Sequence, residues 1–460
     1  MAAEGRFDSP RRIHVIGVGG AGMSAIAQVL AEQGHEVSGS DVRASATTER
    51  LALAGVAISI GHDAANLGRA EVVTASPAVQ PGNVELRAAQ AAGLEVLRRG
   101  TVLAELVART RTIAVAGTHG KTTTSSMLTL IAQAAGLDPG FLIGAELAGA
   151  GSNARAGSGS LLVLEADESY GTFTELEPAI VALTNVEPDH LDHYGDVSAL
   201  EQAFADLLAR ASEASVVVAD DPVAARLGRA AGAVLVGTDP SADVVLGEVA
   251  LGRATSRFTL DGGPAAALSI EVAAPGMHNA TNAALAATAA LLAGVDAASV
   301  VAGLARFTGV PRRFEFRGEV GGVSFVDDYA HLPTEVAATL AAARRGGWGR
   351  IVVIFQPHRY TRTQAVAAQF ADAFAEADAL VITALYGAGE EPIPGVTAQL
   401  VVDAVTRGTT PPLVELVEDR GALVERVAAL LRPGDLCLTL GAGDLTTLPD
   451  QLRRRLEGGS

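Results

Sequence analysis

The stretch Ala116-Gly117-Thr118-His119-Gly120-Lys121-Thr122-Thr123-Thr124 decides the fold: it is a glycine-flanked turn between a short apolar strand and a helix. Thr112 to Ala116 (TIAVA) is apolar and partly β-branched, and from Thr122 to Ala135 the residues Met127, Leu128, Leu130 and Ile131 share one helical face. Strand, glycine loop and helix in that order make a cradle for nucleotide phosphates. Gly117 and Gly120 let backbone N–H groups turn inward, and the helix N-terminus adds partial positive charge toward an anion. Lys121 is expected to reach the outer phosphates and the Thr122 hydroxyl to hold Mg²⁺, with Thr118, His119 and Thr123 in the same cradle. The loop is shorter than the common G-x-x-x-x-G-K-[ST] pattern. Lys121 is also the only lysine among 34 basic residues. A chain that uses arginine everywhere else keeps a compact ammonium where a phosphate-embracing loop needs one.

The 460 residues exceed one hydrophobic core and predict two to four domains. The most alanine-rich apolar run, Ala283 to Val295, falls short of the roughly 20 residues of a membrane span and reads as a buried helix. Met1 to Pro10 is polar, with Glu4, Arg6 and Asp8, and lacks the apolar core of a signal peptide. Cys437 is alone in an apolar setting (DLCLTL), which reads as an inert core thiol and rules out a disulfide framework. These features predict a cytoplasmic protein with no membrane partner. A net charge of −18 offers no basic stripe for a nucleic acid, so none is expected as a partner.

Arg12 to Val18 (RIHVIGV) reads as a strand, followed by Gly17-Val18-Gly19-Gly20-Ala21-Gly22 and a helix from Met23 to Gln33. The G-x-G-x-x-G pattern precedes a second strand (HEVSGSD) ending at Asp41, where a dinucleotide fold places its ribose-binding carboxylate. Two readings stay open: an NAD-dependent oxidoreductase, or another fold that sets a diphosphate on a helix N-terminus.

Leu161 to Leu164 is a strand that delivers Glu165-Ala166-Asp167-Glu168 at its C-terminal end, the ligand edge of an open parallel sheet. Acids clustered there need cations, which suits Mg²⁺ held between carboxylate and phosphate. The strand Ile180 to Thr184 leads to Asn185, Glu187, Asp189, His190, His193 and Tyr194. His190 and His193 have the spacing of a zinc pair on a helix, but no glutamate follows as in H-E-x-x-H, which favours a histidine beside a nucleotide Mg²⁺. Residues 243–272 read as hairpin strands, and Pro275 to Asn279 as a turn capping a helix from about Ala280, with Asn282 in its first turns. Around Val310 to Phe314 a third α/β unit begins. Its strands Val323 to Val326, Ile351 to Phe355 and Leu436 to Leu440 end in DDYAH (327–331), QPHRYTR (356–362) and GAGD (441–444).

In order, GTHGKTTT, EADES, TNVEPDH, GMHNATNA, GVPRRFE, DDYAH, FQPHRYTR and GAGD run over nearly the whole chain, which thereby resembles the Mur ligases. The resemblance implies an α/β fold of three domains. These are a Rossmann-like UDP-sugar-binding domain over 1–107, a central P-loop ATPase-type domain over 108–311, and a C-terminal Rossmann-like amino-acid-binding domain over 312–460. It implies an ATP-dependent amide ligase of peptidoglycan precursor synthesis, acting as a monomer or weak homodimer. The substrate carboxylate takes the γ-phosphate of ATP, and an amine then displaces phosphate from the acyl phosphate. The implied partners are UDP-N-acetylmuramate and L-alanine; the alternative within the family is the recycling ligase that attaches a whole tripeptide.

Residue by residue, the resemblance implies that Lys121 and Thr122 hold phosphates and Mg²⁺, while Glu165 and His190 ligate metal. It implies His278, Asn279 and Asn282 near the adenine and Asp328 at the ATP ribose. Gly19, Gly20, Gly22 and Asp41 would serve the UDP end, which removes the need for NAD. Arg313 would approach the substrate, with Tyr329, His331, His358, Arg359 and Arg362 on the amino-acid side; Lys121, Glu165, His190, His331 and Arg359 are the implied catalytic set. Family members that add later residues resemble one another in a carbamylated lysine, and this chain has no second lysine to supply it. Two positions depart from the family pattern: Tyr170 stands where Asp is common, and Leu332 where a second His is common.

Overall fold

The computed structural model describes residues 5–147, 149–252 and 254–458; Met1 to Glu4 and the side chains of Asp192 and Ala266 lie outside the described residues. Three sheets carry the architecture. The first consists of β1 (Arg12–Ile16), β2 (Glu36–Asp41), β3 (Ala57–Ile60), β4 (Val72–Ala75) and β5 (Glu95–Arg98), in the order β3-β2-β1-β4-β5. All its pairs are parallel. The strand order reverses between β1 and β4, and such a switch point opens a crevice beyond the strand C-termini. The glycine turn 17–22 follows β1 into it.

The second sheet contains β6 (Arg111–Ala116), β7 (Gly140–Leu142), β8 (Ala154–Arg155), β9 (Leu161–Glu165), β10 (Ile180–Leu183), β11 (Ala214–Val218), β12 (Val234–Gly237), β13 (Val244–Leu251), β14 (Ser256–Gly262) and β15 (Ala265–Val272). Its order, β15-β14-β13-β12-β11-β10-β6-β9-β7-β8, puts β6 between β10 and β9. The buried apolar runs of these inner strands are what a parallel sheet covered on both faces requires. Register then sets the chemistry: Val115 pairs with Glu165 and Ala116 with Leu183, so the phosphate loop, the EADES acids and Asn185 emerge at one edge.

The third sheet contains β16 (Glu315–Val320), β17 (Val323–Asp328), β18 (Arg350–Phe355), β19 (Ala379–Ile382), β20 (Leu413–Leu416) and β21 (Asp435–Leu440), in the order β16-β17-β21-β18-β19-β20. Only β16 runs antiparallel to its neighbour. Leu440 pairs with both Asp328 and Phe355, which levels the ends DDYAH, GAGD and QPHRYTR.

The chain divides into two compact units. One runs through Glu248 and takes in Phe258–Glu271 and Thr281–Phe307; the other holds Val249–Arg257, Val272–Ala280 and the chain from Thr308 onward. The helix expected from about Ala280 starts earlier, spanning Met277–Leu292. Gly276, at φ +97°, makes the break, and the Asn279 side chain donates back to the Pro275 carbonyl at 2.8 Å, so the turn expected through Asn279 is already helix.

Candidate active site

Where β6 ends, the chain enters the helix Lys121–Ala134 through a gap that admits no side chain. A Cβ at Gly117, where φ is +126°, would lie 2.0 Å from Thr184 Oγ1 and 2.9 Å from the Asn185 carbonyl oxygen. The loop is clasped from the β10 side. Thr118 N donates to Asn185 O (3.0 Å), His119 N to Asn185 Oδ1 (2.8 Å), Asn185 Nδ2 to His119 O (3.1 Å), and Glu187 N to Thr118 Oγ1 (2.9 Å). Lys121 Nζ folds over its own loop, donating to Gly117 O (2.6 Å), Thr118 O (3.2 Å) and Glu168 Oε2 (2.7 Å). Thr122 Oγ1 donates to Glu165 Oε1 at 3.0 Å, and Gly144 N to Glu165 Oε2 at 2.6 Å. Thr123 is buried in the first turn of the helix.

One ammonium therefore faces three carboxyl groups in a buried place. Burial opposes the Lys121 charge, but Glu168, Asp167 and Glu165 outweigh it and hold its pKa above the usual value. Burial raises Glu165 and Glu168 despite Lys121. At Asp167 burial is outweighed by Lys121 and Arg99, and its carboxyl lies below the usual range. This excess of acid over base, with a hydroxyl beside a carboxylate as the oxygen donors, fits a phosphate-bound Mg²⁺ better than a soft metal. Among the described residues no three His, Cys, Asp or Glu side chains gather at one metal-sized point. Such a Mg²⁺ would take its remaining ligands from phosphate and water.

His190 has φ +53° and caps the short helix Leu191–Tyr194; its Nε2 lies 3.7 Å from Asp189 Oδ2, and no hydrogen bond joins it to Glu165 or Thr122. His193 Nε2 lies against Gly171. Tyr170 is half exposed at φ +55°, a left-handed conformation that Asp adopts more readily. Asn282 sits against the loop: a Cβ on Gly120 would come 2.5 Å from its Oδ1.

The glycine turn of the first sheet is held differently. Gly17 N and Val18 N donate to Ser40 O (2.8 and 3.0 Å), and Gly19 N to Asp41 Oδ2 (2.8 Å). Gly20 is the N-cap of the helix Ala21–Glu32, which has no side-chain cap and no acid in its first turn, leaving its first N–H groups for an anion. The Arg99 guanidinium lies against Gly22, where a Cβ would be 2.6 Å from Cζ, and Arg99 Nη1 is 3.4 Å from Asp167 Oδ2. A cavity lined by Gly22, Arg99, Gly144, Glu165 and Asp167 joins this turn to the acidic cluster.

In the second unit, Asp328 accepts from Phe314 N and Ala330 N, each at 2.7 Å. Burial pushes it up to about 6 against the pull of Arg313 and those N–H groups. The guanidinium carbons of Arg312 (4.9 Å) and Arg313 (5.0 Å) both lie over the Tyr329 ring. His331 Nδ1 is 3.0 Å from Tyr329 O, an acceptor only, so this nitrogen carries the proton. His358 stacks on Tyr386 at 5.7 Å and takes the Arg362 Nη1 donor on Nδ1 at 3.1 Å, which puts its own proton on Nε2. Burial, then His331 and the arginines, lower His358 to about 3; burial and then Arg313 lower His278 to about 4. Arg359, at φ +67°, has its backbone N bound to Tyr386 O at 2.8 Å while its buried Nε has no partner. Leu332 is buried at the start of the helix Pro333–Arg345, its N–H donating to Glu335 Oε2 at 3.1 Å.

Three family models match consecutive regions: Mur ligase family, catalytic domain, over residues 12–111; Mur ligase middle domain over 115–290; and Mur ligase, glutamate ligase domain, over 312–443. The chain belongs to the Mur ligase family. This Mur ligase is 48% identical over 453 residues to the UDP-N-acetylmuramate–L-alanine ligase of Kineococcus radiotolerans, covering 95% of this chain and 94% of the relative. Its fold matches the crystal structure of the UDP-N-acetylmuramate-alanine ligase of Thermotoga maritima with a TM-score of 0.81 at 27% identity, covering 98% of this chain and 100% of the other. A murein peptide ligase from Psychrobacter arcticus matches with a TM-score of 0.70 at 25% identity, over 97% and 98%.

Of the residues singled out in the sequence, this Mur ligase gathers Gly117 to Thr123, Glu165 and Asn282 at one sheet edge, and Asp328, Tyr329, His331, His358, Arg359, Arg362 and Arg313 at another. His278, Asn279 and Asn282 lie in the first turns of one helix, Met277–Leu292. Sequence reasoning missed Arg99, which belongs to no motif, and Tyr386, whose partner His358 lies on a different strand end.

Proposed function

We propose that this Mur ligase joins L-alanine to the carboxylate of UDP-N-acetylmuramate at the expense of ATP, through an acyl phosphate. The observation that carries the ATP half is the sole lysine, held by Gly117, Thr118 and Glu168 at the mouth of a phosphate loop beside three acids, of which Glu168 is buried and Glu165 and Asp167 are partly so. The choice of substrates is supported by full-length similarity to ligases bearing that name. The domain limits 1–107, 108–311 and 312–460 belong to the same reading.

Lys121 exchanges its loop carbonyls for phosphate oxygens, and the N-terminal N–H groups of its helix face the same anion. Mg²⁺, when bound, would be held by Thr122 and Glu165, with His190 as a further ligand, and would neutralise phosphate charge. The glycine turn with Gly19, Gly20 and Gly22 receives the UDP diphosphate, and Asp41 fixes that turn. His278, Asn279 and Asn282 serve the adenine and Asp328 the ribose. In the second unit neutral His358 offers its Nε2–H, and Arg359 and Arg362 their charge, to the carboxylate of the amino acid; Tyr329, His331 and Arg313 line the same place. Positioning and charge complementarity supply most of the acceleration in such a transfer. The reading includes a cytoplasmic monomer or weak homodimer; no described helix is long and apolar enough to cross a membrane.

The test is phosphate release with each substrate omitted in turn: turnover should require ATP, UDP-N-acetylmuramate and L-alanine together. Equal or faster turnover with an L-Ala-D-Glu-diamino acid tripeptide would reject the alanine assignment, and hydride transfer to NAD would reject the ligase.

A further inference from the structure

Beneath the glycine turn lies a buried polar cluster that the proposed reaction does not use. Glu85, on the helix Val84–Ala91, has no exposed surface. Its Oε2 accepts from Ser40 Oγ (2.5 Å) and His62 Nδ1 (2.9 Å), and its Oε1 from Asn66 Nδ2 (2.6 Å) and Asp63 N (3.3 Å). His14, also fully buried, holds Nδ1 at 2.9 Å from Ser38 Oγ and brings Nε2 to 3.9 Å from the same carboxylate. Among the described residues no arginine pairs with Glu85. Burial opposes its charge, yet the Ser40, Asn66 and His62 donors outweigh it and keep the carboxyl below the usual range.

A buried carboxylate contributes less to stability than a well-packed apolar side chain, so its use lies in what it fixes. Here that is Ser40. The Ser40 carbonyl accepts from Gly17 N and Val18 N, and the next residue, Asp41, takes Gly19 N. Three consecutive N–H groups of the turn hang on residues 40 and 41, and the Ser40 side chain hangs on Glu85.

We infer that Glu85 is a positioning residue for the glycine turn: acting through Ser40, it sets the turn against the N-terminus of the helix Ala21–Glu32 and thereby the affinity for a nucleoside diphosphate. This rests on the reading of that turn as the UDP end. Ser40→Ala removes the hydroxyl link with little change in volume, and Glu85→Gln removes the charge. Calorimetric titration with UDP should give a Kd about tenfold weaker in each, the loss expected for one hydrogen bond to a charged group. The Kd for a non-hydrolysable ATP analogue should stay within twofold. Turnover at saturating UDP-N-acetylmuramate should remain above half, with the loss in KM, and amide exchange should quicken at Gly17 to Gly19. Unchanged UDP affinity and exchange in Ser40→Ala would overturn the role of Glu85, as would an equal loss of affinity for the ATP analogue. Failure of the unaltered protein to bind UDP would instead overturn the reading of the turn.

Discussion

Gly17–Gly22 and Gly117–Gly120 each close a buried parallel strand and open a helix, yet different forces hold them. The first turn spends its N–H groups on the Ser40 carbonyl and the Asp41 carboxylate, with one guanidinium laid across Gly22. The second is clasped by Asn185 and surrounds one buried ammonium with three carboxyl groups. A turn enclosing opposed buried charges is poised for a ligand that brings its own negative charge and a divalent cation, since the local field changes sign of demand when they enter. On the proposed function, the contrast separates a binding turn from a reacting one.

The largest effect should come from Lys121→Ala, which strips the reacting turn of its cation. Phosphate release should fall by about 10²- to 10³-fold, or about 3–4 kcal/mol of transition-state stabilisation, while UDP binding at the other turn is retained. Activity above a tenth of the starting level would erase the distinction. Thr122→Ala removes the hydroxyl that donates to Glu165. It should raise the Mg²⁺ requirement of turnover about ten- to a hundredfold, read as a shift in the magnesium titration; an unmoved titration would remove Thr122 from the metal's surroundings.

Asp41→Ala frees Gly19 N in the binding turn. It should raise KM for UDP-N-acetylmuramate by about tenfold and leave KM for ATP alone; a comparable rise for ATP would mean that the two turns are not separable. The smallest effect lies outside both and serves as their control. His278 and His358 are held neutral at about 4 and about 3, chiefly by burial. The unfolded chain protonates them near the usual 6.5, so it binds more protons below that pH, and their contribution to stability grows as pH rises from about 4 to about 6.5. Asp328, raised to about 6, acts in the opposite sense over part of that window. The measurement is therefore a difference: urea unfolding of His358→Asn should lose on the order of 1 kcal/mol of the stability gain between pH 5 and pH 7, after solvent screening. An unaltered gain would contradict a buried neutral His358.

Both glycine turns were legible in the sequence as structure because their residues are consecutive: GVGGAG and GTHGKTTT each announce a strand, a turn and a helix. Strand ends rich in polar groups, such as EADES and DDYAH, were legible for the same reason. What the sequence hid depends on register between distant strands. Asn185 clasps His119 only because β10 lies beside β6, and Arg99 reaches Gly22 and Asp167 from a helix that carries no motif. The Glu85 cluster draws on four separate segments of the first sheet and its helices, none distinctive alone. His278, Asn279 and Asn282 stand together on the helix Met277–Leu292, whose start after Gly276 lies earlier than the sequence pattern indicates.

The central claim, that the turn around Lys121 transfers a phosphoryl group to a carboxylate held by a sugar nucleotide for amide formation with alanine, is tested most directly by the fate of isotope. With ¹⁸O in the carboxylate of UDP-N-acetylmuramate, and ATP and L-alanine present, the account predicts one ¹⁸O atom in each phosphate released. Phosphate free of ¹⁸O, formed alongside the alanine amide, would contradict it.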